Sequence, residues 1–258
     1  MLPVSPVPTP RLALRRSPLS GFGIIAAHSV QTPWSRPDSR VPLPPSALVL
    51  GVAEDGLPVL LDTRAPSSRA ILVASDAGAG KTALLRSIAS SIRRFHDPDK
   101  VRFAVISEHP AEWSDAHAFM HCEGILAFHH APTTRYLHSV VAGSSRIGVS
   151  AGHLFLLIDG FEALASDGDL RDSARLLLGA AAPSTVTLIV TLNSSESPMP
   201  AAWLDCFSVR ILGYVQDRRA ADCLQPGAQL LSTSLQPPCQ FAAHHGGSWL
   251  PFWLPETQ

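Results

Sequence analysis

Short apolar runs separated by amphipathic segments dominate the chain from Leu48 onward. Ala70-Ile71-Leu72-Val73-Ala74 is one such run, bounded by polar residues, and predicts a buried strand. Val101–Ile106, His153–Asp159, Val186–Thr191 and Phe207–Leu212 repeat the pattern and predict four more. Between them, Ala83–Ala89 is amphipathic at helical spacing, and a second helix is expected around Leu170 to Ala181. Residues 110 to 150 read as a helical, histidine-rich region of weak period. Strands alternating with helices imply an α/β domain, a mainly parallel sheet with helices on both faces. Ahead of it, Leu48-Val49-Leu50-Gly51 and Pro58–Asp62 flank Asp55-Gly56, the pattern of a β-hairpin. The aromatic stretch from Phe241 to Pro255 predicts a terminal strand pair, with Trp249, Phe252 and Trp253 as core anchors rather than a base-stacking platform.

Residues 1 to 45 differ in texture. They are rich in proline and serine, hold no sustained period, and read as an extended, poorly ordered arm. Within the arm Gly21–Ala27 is apolar and is expected to dock as a short strand. Residues 46 to 258 form the domain.

Composition narrows the class. A chain of 258 residues is long enough for one sizeable α/β domain plus extensions. The formal net charge is -1 and 16% of residues are charged, which excludes the global basic field of a nucleic-acid binder. The arginine pairs Arg15-Arg16, Arg93-Arg94 and Arg218-Arg219 are small and suit solvated helix faces equally well. Cys122, Cys206, Cys223 and Cys239 are widely spaced with no C-x-x-C pair, which argues for reduced thiols in the cytosol rather than a zinc site. No apolar run approaches the roughly 20 residues of a membrane helix, and prolines break the order a signal peptide requires. A soluble cytoplasmic protein is expected.

The chemistry concentrates after the first buried strand. Ser75-Asp76-Ala77-Gly78-Ala79-Gly80-Lys81-Thr82 lies between that strand and an amphipathic helix, the setting of a phosphate-binding P-loop. Glycines let the backbone curl so that Asp76, Ala77, Gly78, Ala79 and Gly80 turn N–H groups toward phosphate oxygens, and the helix N-terminus adds its positive dipole end. Lys81 is expected to reach the β- and γ-phosphates, and the Thr82 hydroxyl to ligate Mg²⁺. The strict pattern has glycine where Ser75 stands. Lys81 is one of two lysines in a chain that otherwise carries arginine, the other being Lys100; a P-loop needs a slim ammonium that a planar guanidinium cannot imitate. ATP with Mg²⁺ is the expected ligand.

A second acid is expected at the end of a neighbouring strand. Phe155-Leu156-Leu157-Ile158-Asp159 supplies it, placing Asp159 where a Walker B aspartate holds Mg²⁺. In this ATPase class a glutamate normally follows and orients the attacking water. Gly160 stands there instead, and Glu162 is the nearest acid along the chain, so hydrolysis is expected to be slow or absent. Thr191 and Asn193, ending the fourth strand, read either as polar sensors of the γ-phosphate or as a satisfied turn. Arg210 reads either as a residue acting in trans on a neighbour's nucleotide or as the partner of an acid. His117 and His121 fall at i, i+4 beside Cys122, a metal-like spacing with no catalytic motif attached.

The order of motifs resembles the motor domain of the FtsK/SpoIIIE group of HerA-like P-loop ATPases. The lead-in Leu50-Gly51, Asp55-Gly56-Leu57-Pro58-Val59 and Asp62 is similar to that family's, and the loop looks like its Gly-x-Thr-Gly-Ser-Gly-Lys-Ser with the first glycine lost. Downstream, Phe207-x-x-Arg210-Ile211, Val215-x-Asp217, Leu224 and Gly227-Ala228-x-x-Leu231 are similar to the family's closing segment. The departures are Asp159-Gly160 for the family's Asp-Glu, Ile106-Ser107-Glu108-His109 for Ile-Asp-Pro-Lys, and the lack of a Glu-Met-x-x-Arg signature before Asp159. In this degeneracy the chain resembles the accessory ATPase domains of type VII secretion motors. The resemblance implies a RecA-like core, nucleotide with Mg²⁺, a capacity for a homo-hexameric ring or larger motor complex, and DNA or a translocated protein as partner. Two other readings compete with a weakened motor or nucleotide-gated assembly module. One is an active DNA-stimulated translocase using Glu162, the other a non-catalytic interaction subunit with a vestigial P-loop.

Overall fold

A computed structural model describes residues 43–64, 68–142, 152–166, 168–179, 185–195, 201–245 and 247–255. The expected Gly21–Ala27 strand and nearly all of the arm lie outside the described residues. The elements run β1 (Ala47–Val52), β2 (Pro58–Asp62), β3 (Ala70–Ser75), α1 (Lys81–Phe95), β4 (Val101–Ser107), a 3-10 helix (Pro110–Ala118), β5 (Cys122–Ala127) and α2 (Ala131–Val141). They continue as β6 (His153–Asp159), α3 (Phe161–Ser166), α4 (Gly168–Leu178), β7 (Val186–Asn193), α5 (Ala201–Leu204), β8 (Val209–Leu212), α6 (Arg218–Leu224), α7 (Gln229–Ser232), β9 (Gln240–His245) and β10 (Ser248–Trp253).

Among the described residues all strands join one 10-stranded sheet in the order β2-β1-β10-β9-β8-β3-β7-β6-β4-β5. From β8 to β5 every neighbouring pair is parallel. From β2 to β8 every pair is antiparallel. The expected hairpin and terminal strand pair therefore share one antiparallel wing on the side of β8. The strands read from continuous apolar runs are the doubly covered ones. In β3, Ile71 and Val73 face a core with Leu84, Leu85, Ile88 and Ile92 of α1. Leu72 and Ala74 face the opposite core, with Leu137 of α2, Phe161 of α3 and Leu170 of α4. A strand covered on both faces has no polar side, so it reads as an unbroken hydrophobic run.

Two expectations need correction. Residues 110 to 150 are not helical throughout: β5 lies inside them and forms the edge beyond β4. Its residues are half-buried, and Glu123 and Gly124 interrupt the apolar run that revealed the inner strands. The strand carrying Asp159 is also not the neighbour of β3, because β7 lies between them. Parallel register still gathers the chemistry at one edge. Ser75 pairs with Asn193, Ile158 with Val190 and Ser107 with Asp159, so the carboxyl ends of β3, β7, β6 and β4 lie at the same edge of the sheet, with β3 and β7 running two residues further. Of the aromatic trio at the end of the chain, Phe252 is fully buried and stacks on Phe241 at 6.1 Å. Trp249 and Trp253 are half-buried. Among the described residues no helix is long and apolar enough to cross a membrane.

Candidate nucleotide site

Chain reversal between β3 and α1 depends on glycine. Gly78 and Gly80 have φ of 74° and 94°, the left-handed region that a side chain disfavours. Gly80 also lies so close to the Pro238 carbonyl that a β-carbon there would collide with it. Helix α1 then starts without a side-chain cap and without an acid in its first turn. Its leading N–H groups and positive dipole end are left for an outside anion. The Lys81 ammonium curls back over the loop and donates to the carbonyls of Ser75 (3.0 Å) and Asp76 (2.9 Å). Burial pushes Lys81 below the usual lysine range, opposed by the carboxylates of Glu162, Asp159 and Asp76 in that order. A half-buried ammonium held by carbonyl oxygens gains by exchanging them for a phosphate.

Ser75 occupies the position of the missing glycine, fully buried. Room for it comes from elsewhere: a β-carbon on Gly213, after β8, would approach the Ser75 β-carbon and the Phe241 ring to 2.9 Å. Asp76 turns its side chain away from the loop. It accepts from the Ser194 hydroxyl and from the Gln216 N–H (2.8 Å), tying the loop to the segments after β7 and β8.

Asp159 is the hub of the site. One carboxylate oxygen accepts from the Thr82 hydroxyl at 2.8 Å and the other from the Thr191 hydroxyl at 2.9 Å. Thr191 in turn accepts the Gly160 N–H at 2.9 Å. Residues from α1, β6 and β7 thus meet although their strands are not all adjacent. Gly160 has φ of 115°, so the residue after Asp159 is glycine by backbone demand as well as by the loss of an acid. Glu162, on α3, accepts the backbone N–H of Asn193, which places it against the end of β7. The Asn193 side-chain oxygen accepts from Ser195 at 3.1 Å.

Other predicted residues lie elsewhere. The Arg210 guanidinium donates to the carbonyls of Leu204 (2.9 Å), Leu224 (2.7 Å) and Phe207 (3.2 Å), and to the Gln225 side chain (3.2 Å). His117 is exposed on the 3-10 helix, while His121 is buried and hydrogen-bonded to the His96 carbonyl at 3.0 Å. Among the described residues no group of three or more His, Cys, Asp or Glu could hold a metal ion. Glu108, which no phosphate-site motif singles out, stands one residue beyond Ser107, beside Gly160.

The donor set fits the expected ligand. A threonine hydroxyl beside a carboxylate is a hard oxygen pair of the kind that holds Mg²⁺ together with water and phosphate. The uncapped α1, the curled loop and Lys81 fit a polyphosphate. Known structures show the same arrangement of elements. The cytoplasmic domain of the Thermomonospora curvata type VII secretion ATPase EccC matches with a TM-score of 0.67 at 16% identity, over 86% of this chain and 31% of that one. The pCW3 conjugation coupling protein TcpA, in its monomer form with ATPγS, matches at 0.60 and 15%, over 84% and 67%. The genome packaging NTPase B204 of Sulfolobus turreted icosahedral virus 2, in complex with AMPPCP, matches at 0.52 and 11%, over 74% and 100%. The fold is that of the P-loop NTPases. The resemblance to type VII ATPase domains read from the motifs holds at this level. No family model and no curated protein matches the sequence. The chain spans about a third of the length of the EccC cytoplasmic domain that it matches.

Proposed function

We propose that this P-loop domain binds Mg²⁺-ATP and works as a weakened motor or nucleotide-gated assembly module, with slow hydrolysis. The observation that carries this reading is the 2.8 Å bond from Thr82 to Asp159, which joins the loop to its acid across the intervening β7. Asp76–Gly80 and the start of α1 would receive the phosphates, Lys81 would exchange its carbonyls for phosphate oxygens, and Thr82 and Asp159 would hold Mg²⁺. Asn193 and Glu162, joined at the end of β7, would report the γ-phosphate to that strand. Gly160 removes the water-orienting acid from its usual place, which supports slow turnover.

The partner in this reading is DNA or a translocated protein, engaged by a homo-oligomer or a larger motor. A net charge of -1 favours a polypeptide, because duplex binding depends on a basic surface. EccC has been solved with a signal sequence peptide, which supports the same choice.

The test is titration of a fluorescent ATP analogue with Mg²⁺, with steady-state turnover measured in parallel, with and without long duplex DNA. Lys81→Ala is the blank. The expected result is saturable binding that weakens at least about ten-fold in the blank, with turnover that duplex leaves unchanged. Equal affinity in both proteins would overturn nucleotide binding. Turnover that rises with duplex would identify a DNA translocase instead.

A further inference from the structure

We propose that Glu108, at the carboxyl end of β4, supplies the water-activating carboxylate that Gly160 lacks. This rests on the Mg²⁺-ATP reading above.

Parallel β4 and β6 are in register through their last residues, Ser107 and Asp159, and Glu108 and Gly160 follow directly after them. A β-carbon built on Gly160 would lie 3.9 Å from both Cγ and Oε2 of Glu108. A glutamate carboxylate sits about 2.5 Å from its own β-carbon by standard bond lengths. The Glu108 carboxylate is therefore within about one side chain's reach of where an acid at 160 would act. Its backbone is held by the His109 N–H donating to the Ser107 hydroxyl at 3.1 Å. Glu108 is exposed and its carboxylate, among the described residues, accepts no hydrogen bond. Glu162 differs, since one of its oxygens accepts the Asn193 N–H.

In the step proposed, a water oxygen attacks the γ-phosphorus and forms the new P–O bond. The bond from that phosphorus to the β,γ-bridging oxygen breaks, and ADP leaves with the electron pair. The Glu108 carboxylate accepts the water proton and passes it to solvent. Placing the acid on β4 also explains why the turn after Asp159 can be a glycine with φ of 115°.

Glu108→Gln and Glu162→Gln, compared with the natural chain and Lys81→Ala, test the assignment. Two quantities are read: affinity for a fluorescent ATP analogue with Mg²⁺, and single-turnover conversion of bound ATP. The expected result is a loss of at least about ten-fold in conversion for Glu108→Gln, with affinity within about two-fold of the natural chain. ATP, not ADP, should then be recovered from that variant after gel filtration. Conversion that persists in Glu108→Gln and disappears in Glu162→Gln would transfer the role to Glu162. Binding without any conversion in the natural chain would sink the proposal and leave the binding reading intact. Absence of binding in the natural chain would sink both.

Discussion

At the scale of single residues, the loop shows how one substitution is accommodated by another far along the chain. Ser75 brings a side chain into a fully buried position, and Gly213 leaves space for it. Gly213→Ala would press its methyl group on Ser75 and on Phe241, so it should destabilise the fold by about 1–3 kcal/mol. Adding Ser75→Gly removes one of the two collisions. The double variant should recover at least about 0.5 kcal/mol relative to additivity in urea denaturation. Additive effects would mean that the two sites are independent. The residues proposed to approach phosphate and metal, Lys81, Thr82 and Asp159, were legible as a pattern because that chemistry demands one residue type at one spacing. The Gly213 compensation was not, because nothing in local sequence announces a contact between two loops. Glu108 escaped for a similar reason: its relevance comes from register with Asp159, not from a motif.

At the scale of elements, two sets of polar contacts hold helices to the sheet. Arg210 gathers the ends of α5 and α6 through Leu204 and Leu224. Arg210→Met should cost about 2 kcal/mol, because it strands those carbonyls. Affinity for Mg²⁺-ATP should stay within about two-fold if Arg210 serves only its own chain. A larger loss of affinity in the folded variant would support a role for Arg210 at the nucleotide. The second set is histidine. His96, at the end of α1, donates to the Ala47 carbonyl of β1 at 2.9 Å, and His153 of β6 bonds the Thr187 hydroxyl of β7 at 2.9 Å. Burial is the main cause that pushes each down to about 4, from an ordinary value of 6.5.

The folded state therefore keeps these rings neutral where the unfolded chain would protonate them. Their stabilisation is complete above pH 6.5 and is lost as pH falls toward 4. The loss is roughly 3 kcal/mol for each ring, by linkage. Thermal melts between pH 7 and pH 4 should show a steep fall in Tm. His153→Gln, which keeps a donor for Thr187 without titrating, should flatten it.

At the scale of the whole molecule, the first and last strands described pair side by side in the sheet. Strand β10 lies between β1 and β9, so the early hairpin reaches the parallel strands through the last two. Phe241 and Phe252, both fully buried, belong to the core shared with α1. A chain ending at Gln236 would lose both rings, each worth about 3–5 kcal/mol in such a core, and would expose β8 as a new edge. Circular dichroism melts of that truncation should show no cooperative transition. A normal melt would mean that the parallel strands and their helices fold without the wing.

The sequence alone determined the five inner parallel strands, the helix after the loop, the hairpin, the terminal pair and the P-loop pattern between β3 and α1. Each depends on local spacing: a strand buried on both faces must be apolar throughout, and a phosphate loop must combine glycine with Lys-Thr. Tertiary structure alone decided that β7 separates Asp159 from the loop strand, that β5 forms the far edge, and that hairpin and terminal pair share one wing. It also decided that Glu108 stands beside Gly160. Those are matters of strand order and register, which depend on which hydrophobic faces meet across the whole chain, and no local window contains that information.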